Sequence, residues 1–168
     1  MKYILETERL KLREFTTSDT GFIIELLNSP GWLQFIGDRN VRNQEQAENY
    51  LVNGPLKSYR ENGFGLWMVE TKDDQKAIGM SGILNRADLE NPDIGFAYLP
   101  AFNGKGYAYE MASAIMKYVS GELNIPKISA ITLPGNASSI RLLEKIGLSY
   151  VKPFSFPDSN EELLLYSN

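Results

Sequence analysis

The stretch DIGFAYLPAFNGKGYA, residues 93–108, leads from an apolar segment through two glycines into a helix. Asp93–Leu99 has the composition of a strand. Lys105–Leu123 carries apolar residues at intervals of three and four, which predicts a helix. Gly104 and Gly106 open this helix, where free backbone N–H groups and the helix dipole favour an anion. The stretch therefore predicts a phosphate or pyrophosphate site, and a plain strand-to-helix turn is the alternative.

A second stretch, NASSIRLLEKIGL at residues 136–148, has the same arrangement. It follows a short apolar segment, Ile128–Leu133, which predicts a buried strand. Asn136 is a typical N-cap residue for a helix over Ser138–Ile146, and Gly147 is a typical residue to end it. Both stretches therefore follow the carboxyl ends of strands, where ligands gather in α/β sheets.

The rest of the chain predicts further strands and helices in one α/β domain over residues 1–168. Asn43–Asn62 predicts a helix that is kinked or broken at Asn53-Gly54-Pro55. Thr17-Ser18-Asp19 predicts the start of an earlier helix, and residues 28–31 predict the turn that ends it. The other predicted strands are Ile4–Phe15, Gly65–Glu70, Ala77–Leu84, Ser149–Phe156 and Glu161–Tyr166.

The amino-acid composition excludes several classes of catalytic and metal site. The 168 residues include no cysteine and no histidine, which excludes thiol nucleophiles, Ser-His-Asp triads and the usual zinc sites. We therefore expect no metal, and any proton transfer must use carboxylates, hydroxyls, lysine or water. The net charge of −4 argues against nucleic acid as the main ligand. Without a signal peptide or a membrane-spanning apolar stretch, we expect a cytoplasmic protein.

Two familiar phosphate motifs are missing, since the chain has neither a Walker A loop nor a Rossmann fingerprint. Four segments together instead resemble the GNAT superfamily of acetyl-CoA-dependent N-acetyltransferases. The resemblance is to the branch that includes the ribosomal-protein N-terminal (alanine and serine) acetyltransferases. The segments are LETERLKLREFTTSD (5–19), AIGMSGI (77–83), DIGFAYLPAFNGKGYAYEM (93–111) and NASSIRLLEKIGL (136–148).

The resemblance implies a mixed, strongly bent sheet of six to seven strands flanked by about four helices. Its central strands, Asp93–Leu99 and Ile128–Leu133, would splay apart, and the pantetheine arm of acetyl-CoA would enter the gap. The position three residues before the first motif glycine, often Gln or Arg in the superfamily, is Ala101 here. The residues that would bind the cofactor are Phe96, Ala97 and Tyr98 on the strand, Phe102, Asn103, Gly104, Lys105, Gly106 and Tyr107 in the loop, and Asn136.

The implied reaction is direct transfer of acetyl from acetyl-CoA to a primary amine in a ternary complex. Many superfamily members carry a tyrosine where this chain has Leu143. In the branch that this chain resembles, a serine three residues after the asparagine has been proposed instead, and that resemblance implies Ser139 as the candidate acid toward the leaving thiolate, with solvent as the alternative. A backbone N–H near Ala97 would stabilise the oxyanion. Asp93 is the candidate base, directly or through water, and Glu110 is the second candidate. The alternatives, which the sequence favours, are that Asp93 is a surface acid at the start of a strand and that Glu110 only favours the helix dipole.

The acceptor side is less defined by sequence. Trp32, Phe35 and Trp67 are candidates for its walls, and Asp38 could attract a cation, but core packing is the favoured alternative for any one of them. Lys105 or Arg141 could meet a phosphate of CoA, with a solvated side chain as the alternative. The expected partner is an amine, either a peptide N-terminus or a small molecule, bound to a monomer or a homodimer. The alternative function is a non-catalytic acyl-CoA-binding regulatory domain with the same fold.

Overall fold

The computed structural model describes residues 1–168 and contains one sheet of eight strands in the order β1-β2-β3-β4-β5-β6-β8-β7. All neighbouring strands are antiparallel except β5 and β6. The strands are β1 (Tyr3–Glu6), β2 (Leu10–Arg13), β3 (Leu66–Thr71), β4 (Ala77–Leu84), β5 (Asp93–Tyr98), β6 (Ser129–Thr132), β7 (Ser149–Phe154) and β8 (Leu163–Ser167).

The helices cover both faces of this sheet, and none has the length and hydrophobicity of a membrane-spanning segment. Short 3₁₀ turns at Thr17–Asp19 and Pro100–Phe102 precede α1 and α5. The helices are α1 (Thr20–Leu27), α2 (Pro30–Phe35), α3 (Gln44–Asn53), α4 (Pro55–Asn62), α5 (Tyr107–Gly121) and α6 (Ala137–Lys145).

Two element predictions are corrected by the structure. Ile4–Phe15 is a hairpin of β1 and β2 instead of one strand, because the Thr7 N–H donates to the Leu10 carbonyl and turns the chain back. The sheet therefore has eight strands, where six to seven were expected. Residues 28–31 end α1 but also begin α2, since Pro30 takes the first helical position.

The helix count is also higher than the expected four. Asn43–Asn62 forms two helices, as the Asn53-Gly54-Pro55 signal predicted. Gly54 leaves the helical conformation, and Pro55 begins α4. With α2, this division gives six α-helices.

The predicted splay of the two central strands is confirmed. β5 and β6 run parallel and share a single aligned pair, Asp93 with Ser129. Beyond that pair the two strands separate, although β5 remains fully paired with β4 on its other side. The edge of β5 from Gly95 to Tyr98 is consequently left without a strand partner, and the sheet opens into a fork that closes at Asp93.

Strand alternation divides the interior into two cores. On β3, Trp67 and Val69 pack with α5, whereas Met68 belongs to a second core with α1 and α3. Ala97 on β5 shares that second face. The fork therefore lies between a helical layer of α5 and α6 and a different layer of α1 to α4.

Candidate functional site

A cleft of about 1100 Å³ occupies the fork. It is lined by β5, by the loop between β5 and α5, by the first turn of α6 and by residues of α2 and α3. More than half of its lining residues are hydrophobic. Its size and apolar lining suit an organic ligand with a few fixed polar contacts.

The glycine loop provides the densest set of unused donors in the cleft. Gly104 and Gly106 have φ values of +75° and +81°, which side chains rarely adopt. The hydrogen bonds of α5 begin only where the Glu110 N–H meets the Gly106 carbonyl, and no side chain caps the helix. The backbone N–H groups from Gly104 to Tyr109 therefore have no acceptor in the protein. This array fits a pyrophosphate.

The structure brings nearly all of the predicted cofactor-binding residues to this cleft. Lys105 is the exception, because its side chain is exposed outside the cleft with its ammonium 5.6 Å from the Phe102 ring centre. The residues that do line the cleft are Phe96, Ala97, Tyr98, Phe102, Asn103, Gly104, Gly106, Tyr107 and Asn136.

Two cations on α6 border the cofactor end of the cleft. Arg141 was anticipated, and Lys145 lies one helical turn further along the same face. The Lys145 ammonium sits 4.2 Å from the centre of the Tyr109 ring. The i, i+4 spacing from Arg141 was the signal that could have identified Lys145.

Asp93 is the only carboxyl group buried in the cleft. Its side chain is 2% exposed, and the Arg86 Nε donates to both carboxylate oxygens at 3.2 Å. Burial raises the pKa of Asp93 to about 6, although the Arg86 charge opposes the rise. A carboxylate with this pKa is mostly ionised at pH 7 and can accept a proton from a neighbouring group.

Ser139 also lines the cleft, from the first turn of α6. Its backbone N–H donates to the Asn136 Oδ1 at 3.3 Å, so Asn136 is the N-cap of the helix. The half-buried Ser139 hydroxyl has no hydrogen-bond partner in the protein. The hydroxyl is therefore free to donate to a ligand.

Glu110, the second candidate base, is held by other contacts. It accepts hydrogen bonds from the Thr7 hydroxyl at 2.6 Å and from the Arg9 Nε at 2.7 Å, and it does not line the cleft. Partial burial acts to raise the pKa of Glu110, but these hydrogen bonds outweigh it and hold the pKa low. Glu110 is thus a poor proton acceptor that ties the β1–β2 hairpin to α5.

Two of the predicted acceptor-side residues lie elsewhere. Trp67 is 1% exposed and packs edge-on against Tyr118 in the core beneath α5, because its strand position points away from the cleft. Asp38 is exposed, pairs with Arg42 at 2.6 Å and lies outside the cleft. The hydrogen bond from Arg42 holds the pKa of Asp38 below its usual range.

Trp32 and Phe35, the other two predicted acceptor-side residues, do line the cleft. Arg39, Tyr50 and Arg86 join them there from a loop, α3 and a second loop, and the sequence analysis missed all three. No motif links these segments, and their shared location follows only from the packing of α2 and α3 over the sheet.

Comparison with known proteins agrees with the geometry. Residues 9–149 match the acetyltransferase (GNAT) domain family. The chain is a GNAT acetyltransferase. The motifs of the glycine loop and of the first turn of α6 thus lie where the resemblance placed them.

Relatives of this GNAT acetyltransferase include two proteins of Bacillus subtilis strain 168. The uncharacterized protein YkkB is 32% identical, with 88% of this chain and 86% of YkkB covered. The uncharacterized N-acetyltransferase YoaA is 30% identical, with 86% of this chain and 81% of YoaA covered. Among solved structures, RimL, a ribosomal L7/L12 alpha-N-protein acetyltransferase in complex with coenzyme A, superposes with a TM-score of 0.84. It is 16% identical, covers 99% of this chain and 97% of its own, and shows the shared fold.

The GNAT acetyltransferase is therefore an acetyl-CoA-dependent N-acetyltransferase. The donor fits the cleft at two places. The N–H groups of the glycine loop match a pyrophosphate, and the open edge of β5 offers backbone groups to an extended amide-containing arm. The identity of the acceptor amine is a separate question.

Proposed function

We propose that the acceptor is an α-amine, of a peptide or an amino-acid-like molecule, and that Asp93 is its general base. The observation that carries this proposal is the buried Asp93 carboxylate at the closed end of the fork, with a pKa of about 6. It is the one acid in the cleft that is withdrawn from solvent.

The strength of this base favours an α-amine. Only a neutral amine attacks a thioester, and the pKa is ~7.7–8.0 for a peptide α-amine against ~10.4 for a lysine side chain. The neutral fraction at pH 7 is therefore a few hundred times larger for the α-amine. A carboxylate with a pKa of about 6 suits the removal of a proton from a weakly basic amine.

Each residue then has one task in the transfer. Acetyl-CoA supplies an acetyl group activated as a thioester. Asp93 takes the proton from the amine nitrogen that becomes acylated, and a backbone N–H near Ala97 stabilises the oxyanion. The Ser139 hydroxyl donates to the departing sulfur. Trp32 and Phe35 hold the apolar part of the acceptor.

Matched peptides test the choice of amine. One peptide carries a free α-amine and a blocked lysine, and the other an acetylated N-terminus and a free lysine. We expect the α-amine peptide to release CoA thiol faster at pH 7. A preference for the ε-amine contradicts the proposal. Binding of acetyl-CoA without thiol release for any amine would instead support the non-catalytic regulatory domain.

The serine is tested with the better peptide. Ser139→Ala should lower kcat by roughly 10²-fold with little change in acetyl-CoA affinity, because the hydroxyl acts on a charge that develops in the transition state. Ser120→Ala, at an exposed position near the end of α5, is the matched control. A kcat within a factor of ~3 of the wild type would show that solvent protonates the thiolate.

A further inference from the structure

The acceptor end of the cleft, around Asp93 and Arg86, offers no unpaired buried carboxylate. The charged residues that line the whole cleft are Arg39, Arg86, Asp93, Arg141, Lys145 and Glu161. Arg141 and Lys145 lie on α6, beside the glycine-loop end. The remaining acids are Asp93, which is already paired, and the exposed Glu161. An acceptor with several ammonium groups would find little compensating charge here.

Arg86 uses only part of its guanidinium within the protein. Its Nε donates to Asp93, and its Cζ lies 5.8 Å from the centre of the Phe156 ring. Neither Nη group donates to a protein acceptor, although the side chain is only 36% exposed and lines the cleft. The fork of an arginine suits a carboxylate, so these Nη groups are available to an anionic ligand.

Arg39 also lacks a carboxylate partner. It is exposed, forms no salt bridge and lines the cleft, as Tyr50 and Arg86 do. Burial raises the pKa of the Tyr50 hydroxyl, and the charges of Arg39 and Arg86 oppose the rise. Two arginines and a tyrosine from three separate segments thus line one cleft.

A further donor in the cleft lining lacks an acceptor. The Trp32 Nε1 is buried without a hydrogen-bond partner, and Trp32 lines the cleft. An indole N–H can only donate, so a ligand that completes it must offer an oxygen or another acceptor atom. A carboxylate offers several such sites at once.

We infer that the acceptor is a free α-amino acid with an apolar side chain, bound through its carboxylate by Arg39 and Arg86. This inference rests on the proposed function for the role of Asp93 as the base. It does not use the low basicity of a peptide α-amine, because the carboxylate of a free amino acid makes its amine more basic than that of a peptide. The adjacent Asp93 carboxylate and Arg86 guanidinium present a negative and a positive group side by side, as an α-amino acid presents its ammonium and carboxylate. The apolar side chain meets Phe35, Leu66 and Met80.

The site lies away from the pyrophosphate site. Asp93 and Tyr98 are the two ends of β5, and five residue steps along a strand span roughly 17 Å. The glycine loop begins beyond Tyr98, whereas Arg86 contacts Asp93 at the opposite end. The unpaired Nη groups of Arg86 are therefore placed for the acceptor and not for the pyrophosphate of the donor.

The test compares three forms of one amine in thiol-release assays. Leucine, methionine and phenylalanine are each offered as the free acid, the primary amide and the decarboxylated amine. Arg39→Gln should raise KM for the free acid at least about tenfold and leave KM for the amide within about twofold, because only the acid loses an ion pair. For each amine, the KM of the variant is divided by the KM of the wild type, so the different basicities of the three amines cancel.

The control is Arg60→Gln, which removes one charge from an exposed arginine of α4 outside the cleft. It should leave all three KM values unchanged. Activity that favours the amide or the decarboxylated amine, or an Arg39→Gln effect equal on all three, overturns the inference while the acetyltransferase proposal stands.

Direct binding separates failure of the inference from failure of catalysis. If no amine releases thiol, the proposed function is wrong, and calorimetry of the free amino acid against the CoA-loaded protein still tests the subsite. The inference expects binding of the acid that weakens at least about tenfold in Arg39→Gln. No binding, or a Kd that Arg39→Gln leaves unchanged, overturns it.

Discussion

The two proposed binding regions of the cleft offer different groups to a ligand. The proposed donor end offers backbone: the N–H groups of the glycine loop and the open edge of β5. The proposed acceptor end offers side chains, with Asp93, Arg86, Arg39 and Trp32 supplied by different elements. Backbone donors depend on local conformation, which a short motif can specify. A pocket of side chains depends on how distant segments pack.

Loss of the base should have the largest effect, at the acceptor end. Asp93→Asn keeps the shape and still accepts a hydrogen bond from Arg86, but it takes up no proton. We expect kcat to fall by roughly 10²–10⁴-fold with acetyl-CoA affinity unchanged in calorimetry. An unchanged kcat would mean that water alone removes the proton.

The pH dependence of kcat/KM tests the same base. Because burial raises the pKa of Asp93 to about 6, kcat/KM of the wild type should fall as the pH drops through about 6, where the carboxylate becomes protonated. A second limb, from ionisation of the α-amine, lies at ~7.7–8.0 for a peptide. Asp93→Asn should lose the limb near 6 and keep the one that belongs to the amine.

Two aromatic substitutions test which side chains belong to the acceptor end. Trp67→Ala should lower the free energy of unfolding by about 3–5 kcal/mol, since Trp67 fills the core beneath α5. Phe35→Ala, at a half-buried cleft residue, should mainly raise the acceptor KM, by about fivefold. Urea unfolding measures the stability of both variants, and steady-state kinetics measures their KM. A raised KM with unchanged stability in Trp67→Ala would place Trp67 in the cleft.

The donor end is tested at one glycine. Gly104→Val forces a β-branched residue into a positive φ and crowds the N–H array, although no atom lies within 4 Å of the added Cβ. Acetyl-CoA affinity should fall at least ~10-fold, or about 1.4 kcal/mol. Gly121→Val, where φ is not positive and nothing lies within 4 Å, is the matched control. An unchanged acetyl-CoA affinity in a folded Gly104→Val protein would contradict the assignment of the glycine loop to the pyrophosphate.

The smallest effect is expected outside the cleft. Asp38→Asn removes an exposed carboxylate that is already paired with Arg42. Both KM and kcat for an amine should stay within a factor of about two, because surface ion pairs contribute little. A KM that rises several-fold would indicate that Asp38 takes part in binding the acceptor, although it lies outside the cleft.

The sequence by itself determined the family and the order of the main elements, and it predicted a donor end. Gly104, Gly106 and Asn136 were predicted from local signals at the starts of two helices, and the structure places all three in the cleft. The break at Gly54-Pro55 was equally local, because Pro55 can begin a helix but not continue one.

Only the tertiary structure decided the acceptor end. A one-residue change in strand register moves every side chain to the opposite face, and aromatic character alone does not reveal which face holds Trp67. Arg39, Tyr50 and Arg86 are separated along the chain and meet only because α2 and α3 pack over the fork. Asp93 shows the same limit. The sequence places it at the start of a strand, but its pKa is raised by burial, and the residues that bury it are distant in the chain. No local sequence pattern predicts that burial.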